Sequence, residues 1–136
     1  MPVVITPHPG EMARLLDTRV EVIQNNRLTV AVEFAKRYNV IVVLKGAYTV
    51  VAHPNGKATV NPTGNKGMAK AGCGDILAGI IGSLIAQGMS PFSASVSGVY
   101  CHGYAGDLAQ EKYGSISMLS TDITDMLPTA FKQIFL

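Results

Sequence analysis

Five consecutive apolar residues, Val40-Ile41-Val42-Val43-Leu44, restrict the fold of this chain more than any other stretch. β-branched residues favour extended backbone, and a run without polar alternation predicts a strand buried on both faces. Such strands belong to sheets covered by helices above and below, the α/β arrangement. Lys45-Gly46 ends the run. Upstream, Val3-Val4-Ile5-Thr6 reads as a second strand of this kind, closed by the turn Pro7-His8-Pro9-Gly10. Downstream, Tyr48-Thr49-Val50-Val51-Ala52 and Ala58-Thr59-Val60 flank Pro54-Asn55-Gly56, which predicts a β-hairpin.

Helical patterns fill most of the remainder. Glu11 to Leu16 gives a turn or two. Leu28 to Tyr38 has an apolar side of Leu28, Val32, Phe34 and Ala35, with Asn39 closing it. Ile76 to Ala86 is a strongly apolar helix. Ser90-Pro91 supplies an N-cap and an N1 proline for a further helix through Leu108. Small residues along it, among them Gly98, Gly103, Ala105 and Gly106, predict close helix packing. Ser120-Thr121-Asp122 starts a last helix, with a kink expected at Pro128. Asn61 to Met68 reads as a long loop.

Few strands are thus set against four or five helices, and the chain opens on a strand of the buried kind. Charged residues make up only 15% of the chain, little for a small domain with its own exposed surface. Both observations predict that residues 1–136 form a single partial domain, completed by a further half or by another chain. The net charge is +2 with no basic run, which argues against nucleic acid. Ile76 to Ala86 is too short and too broken by glycine to span a bilayer, and Met1-Pro2-Val3-Val4 lacks the pattern of a signal peptide. Cys73 and Cys101 show neither metal spacing nor a disulfide framework, which suits a cytoplasmic setting.

The chemistry centres on Lys70-Ala71-Gly72-Cys73-Gly74-Asp75, a small-residue loop running into the apolar helix. The first amides of a helix have no internal partner and carry partial positive charge, so such a corner binds anions, phosphate above all. An acid within an anion site suggests a group that orients or accepts a proton. In open α/β sheets, ligands sit at the carboxyl ends of strands. His8 and Glu11 follow the first strand, Lys45 and Gly46 the second, and Asn61, Asn65, Gly72, Gly74 and Asp75 the hairpin. Each alone has an ordinary loop or capping role; together they fall on one edge. His53 and His102 read as structural, and nothing marks Cys73 as a nucleophile, although an accessible thiol there would be open to oxidation.

Thr6-Pro7-His8-Pro9-Gly10-Glu11, Leu44-Lys45-Gly46, Asn61-Pro62-Thr63-Gly64-Asn65 and Met68-Ala69-Lys70-Ala71-Gly72-Cys73-Gly74-Asp75-Ile76-Leu77-Ala78-Gly79 together resemble the ADP-dependent NAD(P)H-hydrate dehydratases of the ribokinase-like superfamily. The resemblance implies a three-layer α/β/α sandwich, of which this chain would be the C-terminal portion. It implies repair of NADHX and NADPHX: ADP would phosphorylate the hydroxyl of the hydrated ring, phosphate would leave, and AMP and phosphate would be released. By the same resemblance Asp75 is the catalytic residue, and His8 and Asp75 contact the hydrated cofactor. Lys45, Gly46, Ala47, Tyr48, Thr49 and Gly74 line the AMP and ADP site. Gly72, Cys73 and Gly74 form an anion hole, and Asn61 and Asn65 shape a phosphate loop. Glu11 would act indirectly through Mg²⁺. Association into a homo-oligomer is also implied. The alternatives are a superfamily kinase of a thiazole or hydroxymethylpyrimidine vitamin precursor, which tends to carry Asn where His8 stands, and a non-catalytic nucleotide-binding remnant.

Overall fold

A computed structural model describes all residues, 1–136. Strands β1 (Val4–Ile5), β2 (Ile41–Leu44), β3 (Val50–Ala52) and β4 (Ala58–Val60) form one sheet in that spatial order. β1 and β2 are parallel, whereas β2 with β3 and β3 with β4 are antiparallel. Parallel pairing therefore covers β1 and β2 alone. Gly46 and Tyr48 at φ +140° and +57° let the chain reverse within residues 45–49, so β3 returns against β2. The carboxyl ends of β1, β2 and β4 consequently share one edge with the amino end of β3. Backbone bonds run along this edge, from Lys45 N to Pro7 O at 2.9 Å and from Asn61 N to Thr49 O at 2.9 Å.

β2 is buried at every residue, and its alternate side chains build two cores. Val42 and Leu44, with Val50 and Ala52 of β3, pack on α1 (Pro9–Leu15), α2 (Val20–Asn25) and α3 (Arg27–Tyr38) through Met12, Ile23, Ala31, Phe34 and Ala35. Ile41, Val43 and Val51 pack on α4 (Cys73–Ala86) and α5 (Pro91–Tyr113) through Leu77, Ile80, Ile81, Leu84, Ala94 and Val99. The last helix, α6 (Ser120–Phe135), lies against α5 and α4 and closes a third cluster around Met118, Ile123 and Ala130. Helices cover both faces of the sheet, as the run 40–44 requires. Each Val or Leu so buried contributes about 1.5–3 kcal/mol, which is why this short strand organises the chain.

Several local expectations change. Helix α2 is unanticipated, since Val20–Asn25 is too short to show a period and buries only Ile23. Leu28 is 51% exposed, because the first turn of α3 sits over the turn after β2 and not over the strand. A 3₁₀ turn, Lys66–Met68, lies within the loop 61–68. Helix α5 passes Leu108 and stops at Gly114 (φ +79°). Helix α6 continues through Pro128, and its start is capped by Asp122, whose Oδ2 accepts from Leu119 N at 2.7 Å. Ser90 caps α5 as expected, with Oγ accepting from Ser93 N at 3.3 Å. Of the small residues in α5, Gly98 meets helix α4, where an added Cβ would lie 2.8 Å from Ile81. Gly103 and Gly106 serve a different purpose: the loop 61–68 lies on them through Thr63 and Met68. No helix is long and apolar enough to cross a membrane.

Candidate functional site

Gly72 is the N-cap of α4 at φ +91°, a conformation strained for any residue with a Cβ; an added Cβ would also lie 3.0 Å from Ser120 Oγ. The helix then begins at Cys73. The Cys73 amide donates to Lys70 O at 3.3 Å and is engaged, which narrows the expected anion hole. The backbone amides of Gly72, Gly74 and Asp75 have no acceptor. Asp75 is exposed, and its carboxylate takes no hydrogen bond or ion pair from the protein. It is therefore not a cap. Lys70, the first residue of the motif, turns away: its ammonium donates to the carbonyls of Ser115, Ile116 and Met118 and fixes the loop before α6.

Lys45 reaches this corner from the end of β2. A Cβ placed on Gly74 would lie 3.0 Å from Lys45 Nζ, so glycine leaves room for the ammonium beside the first turn of α4. The ammonium is without a hydrogen-bond or ion-pair partner in the protein. Beneath lies His102 of α5, read from the sequence as structural only. It is 9% exposed, and its Nε2 is buried without a hydrogen-bond partner. Burial lowers its pKa to about 4; the backbone of Cys73 opposes this and the charge of Lys45 adds to it. The imidazole is thus neutral in the physiological range.

His8 and Glu11 form a capping box on α1. His8 Nδ1 accepts from Glu11 N at 3.1 Å, and Glu11 Oε1 accepts from His8 N at 3.0 Å. The ring nitrogen left over, Nε2, lies 3.2 Å from Glu11 Oε1, and both side chains remain about half exposed at 52% and 47%. The Glu11 carboxyl is held below its ordinary value, chiefly by the His8 amide; burial opposes this, and the charges of His8, Lys45 and Arg14 add to it. No three His, Cys, Asp or Glu side chains are placed to hold a metal ion. The donors present fit a magnesium ion that arrives on nucleotide phosphates and adds at most one or two carboxylates, the usual habit of Mg²⁺.

The turn 45–49 has a support that the sequence did not disclose. Arg27 donates to the carbonyls of Leu44 at 3.0 Å, Lys45 at 3.2 Å and Tyr48 at 3.4 Å. Thr49 Oγ1 closes the turn onto Gly46 O at 3.1 Å, while Ala47 and Tyr48 are exposed. Asn61 and Asn65 are already engaged. Asn61 Nδ2 donates to Thr63 O and Thr63 Oγ1 at 3.1 and 3.0 Å. Asn65 Nδ2 donates to Asp107 Oδ1 at 2.8 Å, and its Oδ1 accepts from Gly67 N at 3.0 Å. Asp107, absent from the sequence reading, also accepts from Gly64 N at 3.1 Å. Both asparagines shape the loop and hold no free polar side-chain atom aimed at a ligand through these bonds.

The edge therefore brings together Lys45, Gly72, Gly74 and Asp75, with His102 below and Glu11 beside. A concavity of about 740 Å³ lies elsewhere, between α4 and α6, and is lined by apolar residues such as Ile80, Leu84 and Phe131. A smaller one of about 490 Å³ adjoins the edge at Pro7, Glu11 and Arg14. Charge and unengaged donors, not volume, mark the site.

A family model described as NAD(P)H-hydrate dehydratase matches residues 1–129. The bifunctional NAD(P)H-hydrate repair enzyme Nnr of Moorella thermoacetica is 48% identical over 133 residues, covering 98% of this chain and 25% of that protein. The structure of the ADP/ATP-dependent NAD(P)H-hydrate dehydratase of Bacillus subtilis, co-crystallised with ATP/Mg²⁺ and soaked with CoA, superposes with a TM-score of 0.93 at 37% identity, covering 97% of this chain and 49% of that one. A ribokinase-like superfamily protein of Enterococcus faecalis superposes with a TM-score of 0.80 at 35% identity, covering 96% of this chain and 44% of that one. The fold is thus ribokinase-like α/β. The chain spans about half the length of the B. subtilis dehydratase and a quarter of the bifunctional relative.

Proposed function

The chain belongs to the NAD(P)H-hydrate dehydratase family, and on that premise we propose that it takes part in the ADP-dependent dehydration of NADHX and NADPHX to the reduced dinucleotides. The observation that carries the reading is the meeting of two unengaged opposite charges at one helix N-terminus: the Lys45 ammonium beside Gly74, and the free Asp75 carboxylate. Phosphoryl transfer needs little else from a protein beyond positioning and charge stabilisation. In this reading the amides of Gly72, Gly74 and Asp75 and the Lys45 ammonium hold the transferring group. Asp75 orients the ring hydroxyl and takes its proton. The turn Lys45–Thr49 holds the nucleotide, and His8 contacts the hydrated cofactor. Mg²⁺ supplies charge neutralisation when bound with the nucleotide, with Glu11 acting at most through its water. Residues 1–136 serve as the C-terminal portion of a ribokinase-like domain in the cytoplasm. That portion works with a further half or another copy of the chain.

The test is turnover of NADHX with ADP and Mg²⁺, followed by the return of reduced-nicotinamide absorbance. The expected result is ADP-dependent recovery, with AMP and phosphate as products. ATP-dependent phosphorylation of a thiazole or hydroxymethylpyrimidine, without NADHX turnover, would overturn the reading. Nucleotide binding with no turnover, even after an N-terminal half from a relative is added, would reduce the chain to a binding module.

A further inference from the structure

Arg27 opens α3 directly under the turn 45–49. Its guanidinium reaches Leu44 O, Lys45 O and Tyr48 O at 3.0, 3.2 and 3.4 Å, and Nη1 also donates to Gln24 Oε1 at 3.0 Å. The turn has little means of holding itself: Gly46 and Tyr48 both lie at positive φ, and its one internal side-chain bond is Thr49 Oγ1 to Gly46 O. The guanidinium also explains the glycine, since a Cβ on residue 46 would lie 3.0 Å from Arg27 Nη1. A planar fork can serve several carbonyls at once, which the single ammonium of a lysine on a flexible stem does not reproduce.

We propose that Arg27 is a positioning residue for the nucleotide: by fixing the carbonyls of Leu44, Lys45 and Tyr48 it sets where the Lys45 ammonium and the exposed Tyr48 ring meet an adenine nucleotide. It does so without touching the nucleotide itself. The proposal rests on the reading of Lys45–Thr49 as the nucleotide segment. Its position 17 or more residues upstream of the carbonyls it holds explains why no motif points to it.

The test is calorimetric binding of AMP and ADP to the full 136-residue chain and to Arg27→Ala and Arg27→Lys. The three lost bonds to the turn predict about a tenfold loss of affinity in Arg27→Ala. Millimolar guanidinium restores it, and Arg27→Lys, folded by its melting curve, remains weak. Where turnover is measured, KM for ADP rises by about the same factor while kcat stays within about twofold. If the wild-type chain binds neither AMP nor ADP, the nucleotide reading of the turn fails, and this proposal with it. If the wild-type chain binds and Arg27→Ala binds equally well, only the role of Arg27 is overturned. The same holds if guanidinium fails to restore a folded Arg27→Ala. Should Arg27→Ala not fold, Arg27→Lys decides alone, wild-type affinity in that variant overturning the proposal.

Discussion

Two glycine-containing loops meet the same edge of the sheet, and they have opposite economies of polar atoms. In the loop 61–68, Asn61 and Thr63 bond to each other, and the loop is tied to α5, where Asp107 accepts from both Gly64 and Asn65, and Thr63 Oγ1 donates to Tyr100 O at 3.0 Å. In the corner 72–75, the amides of Gly72, Gly74 and Asp75, the Asp75 carboxylate and the approaching Lys45 ammonium are left without partners. One loop engages its polar side chains within the fold and the other leaves polar groups unpaired, although both are rich in turn residues. Unengaged polar groups at a strand edge, more than loop composition, separate the two.

The largest effect expected from this contrast is in chemistry. Asp75→Asn keeps the shape of the corner and removes the charge. Turnover should fall by about 100-fold or more, the span typical of a lost general acid or base, while AMP affinity stays within about threefold. Steady-state rates and calorimetry on the same preparation check this. A near-normal rate with a lowered melting temperature would break the comparison, because Asp75 would then be scaffold like Asn65.

Next comes the floor of the corner. The unfolded chain protonates a histidine near pH 6.5, but buried His102 does so only near 4. Between those values the unfolded state binds more protons, so stability rises with pH across this window and falls on acidification. The loss from pH 6.5 down to 4 is about 3 kcal/mol, levelling off below. Glu11, whose pKa is also lowered, adds a smaller loss in the acid range below its ordinary value of 4.5. Urea unfolding at a series of pH values measures the slope, and His102→Leu should flatten it. A flat wild-type profile would mean that Nε2 finds a partner, and the floor would then resemble the satisfied loop.

The scaffold side of the contrast predicts a change in stability without a change in chemistry. Asp107→Ala removes the acceptor for Gly64 N and Asn65 Nδ2 and should cost about 1–2 kcal/mol. AMP affinity should hold within about twofold, because both donors are bonded to Asp107 of α5 and not to the turn 45–49. Denaturant midpoints alongside calorimetry distinguish the outcomes. A large loss of affinity at wild-type stability would move the loop 61–68 from scaffold to ligand contact.

What the sequence disclosed follows from what is local. The run 40–44, the cap at Ser90 and the hairpin turn at 54–56 each depend on neighbouring residues, and all of them reach the structure. The ends of β1, β2 and β4 therefore fell on the expected edge. What stayed hidden depends on pairings across the chain. Arg27 meets carbonyls from the next strand, Asp107 caps a loop 42 or more residues upstream, and His102 lies under Lys45. A stripe of small residues such as Gly98, Gly103 and Gly106 records that something approaches closely, but not whether it is a helix or a loop. Here it is both.

The smallest effect is expected at Cys73, and it tests whether openness of the corner extends to its side chains. The thiol is 6% exposed, turned into the cluster with Ala105, Met118 and Ile123. Burial raises its pKa, with the Lys70 backbone and the Lys70 charge opposing. Thiolate is the reactive form, so a buried thiol with a raised pKa is slow toward electrophiles and oxidants. The exposure to oxidation expected from the sequence therefore does not arise in the folded chain: the backbone of residue 73 lines the corner while its side chain belongs to the core. An aromatic disulfide reagent at neutral pH should label Cys73 far more slowly than free cysteine, and at the same low rate with and without AMP. Cys73→Ser, isosteric and half-matched to its apolar pocket, should leave AMP affinity unchanged and lower the melting temperature slightly. Rapid labelling that AMP suppresses would show the side chain facing the ligand, and would extend the open corner by one residue into what the structure assigns to the core.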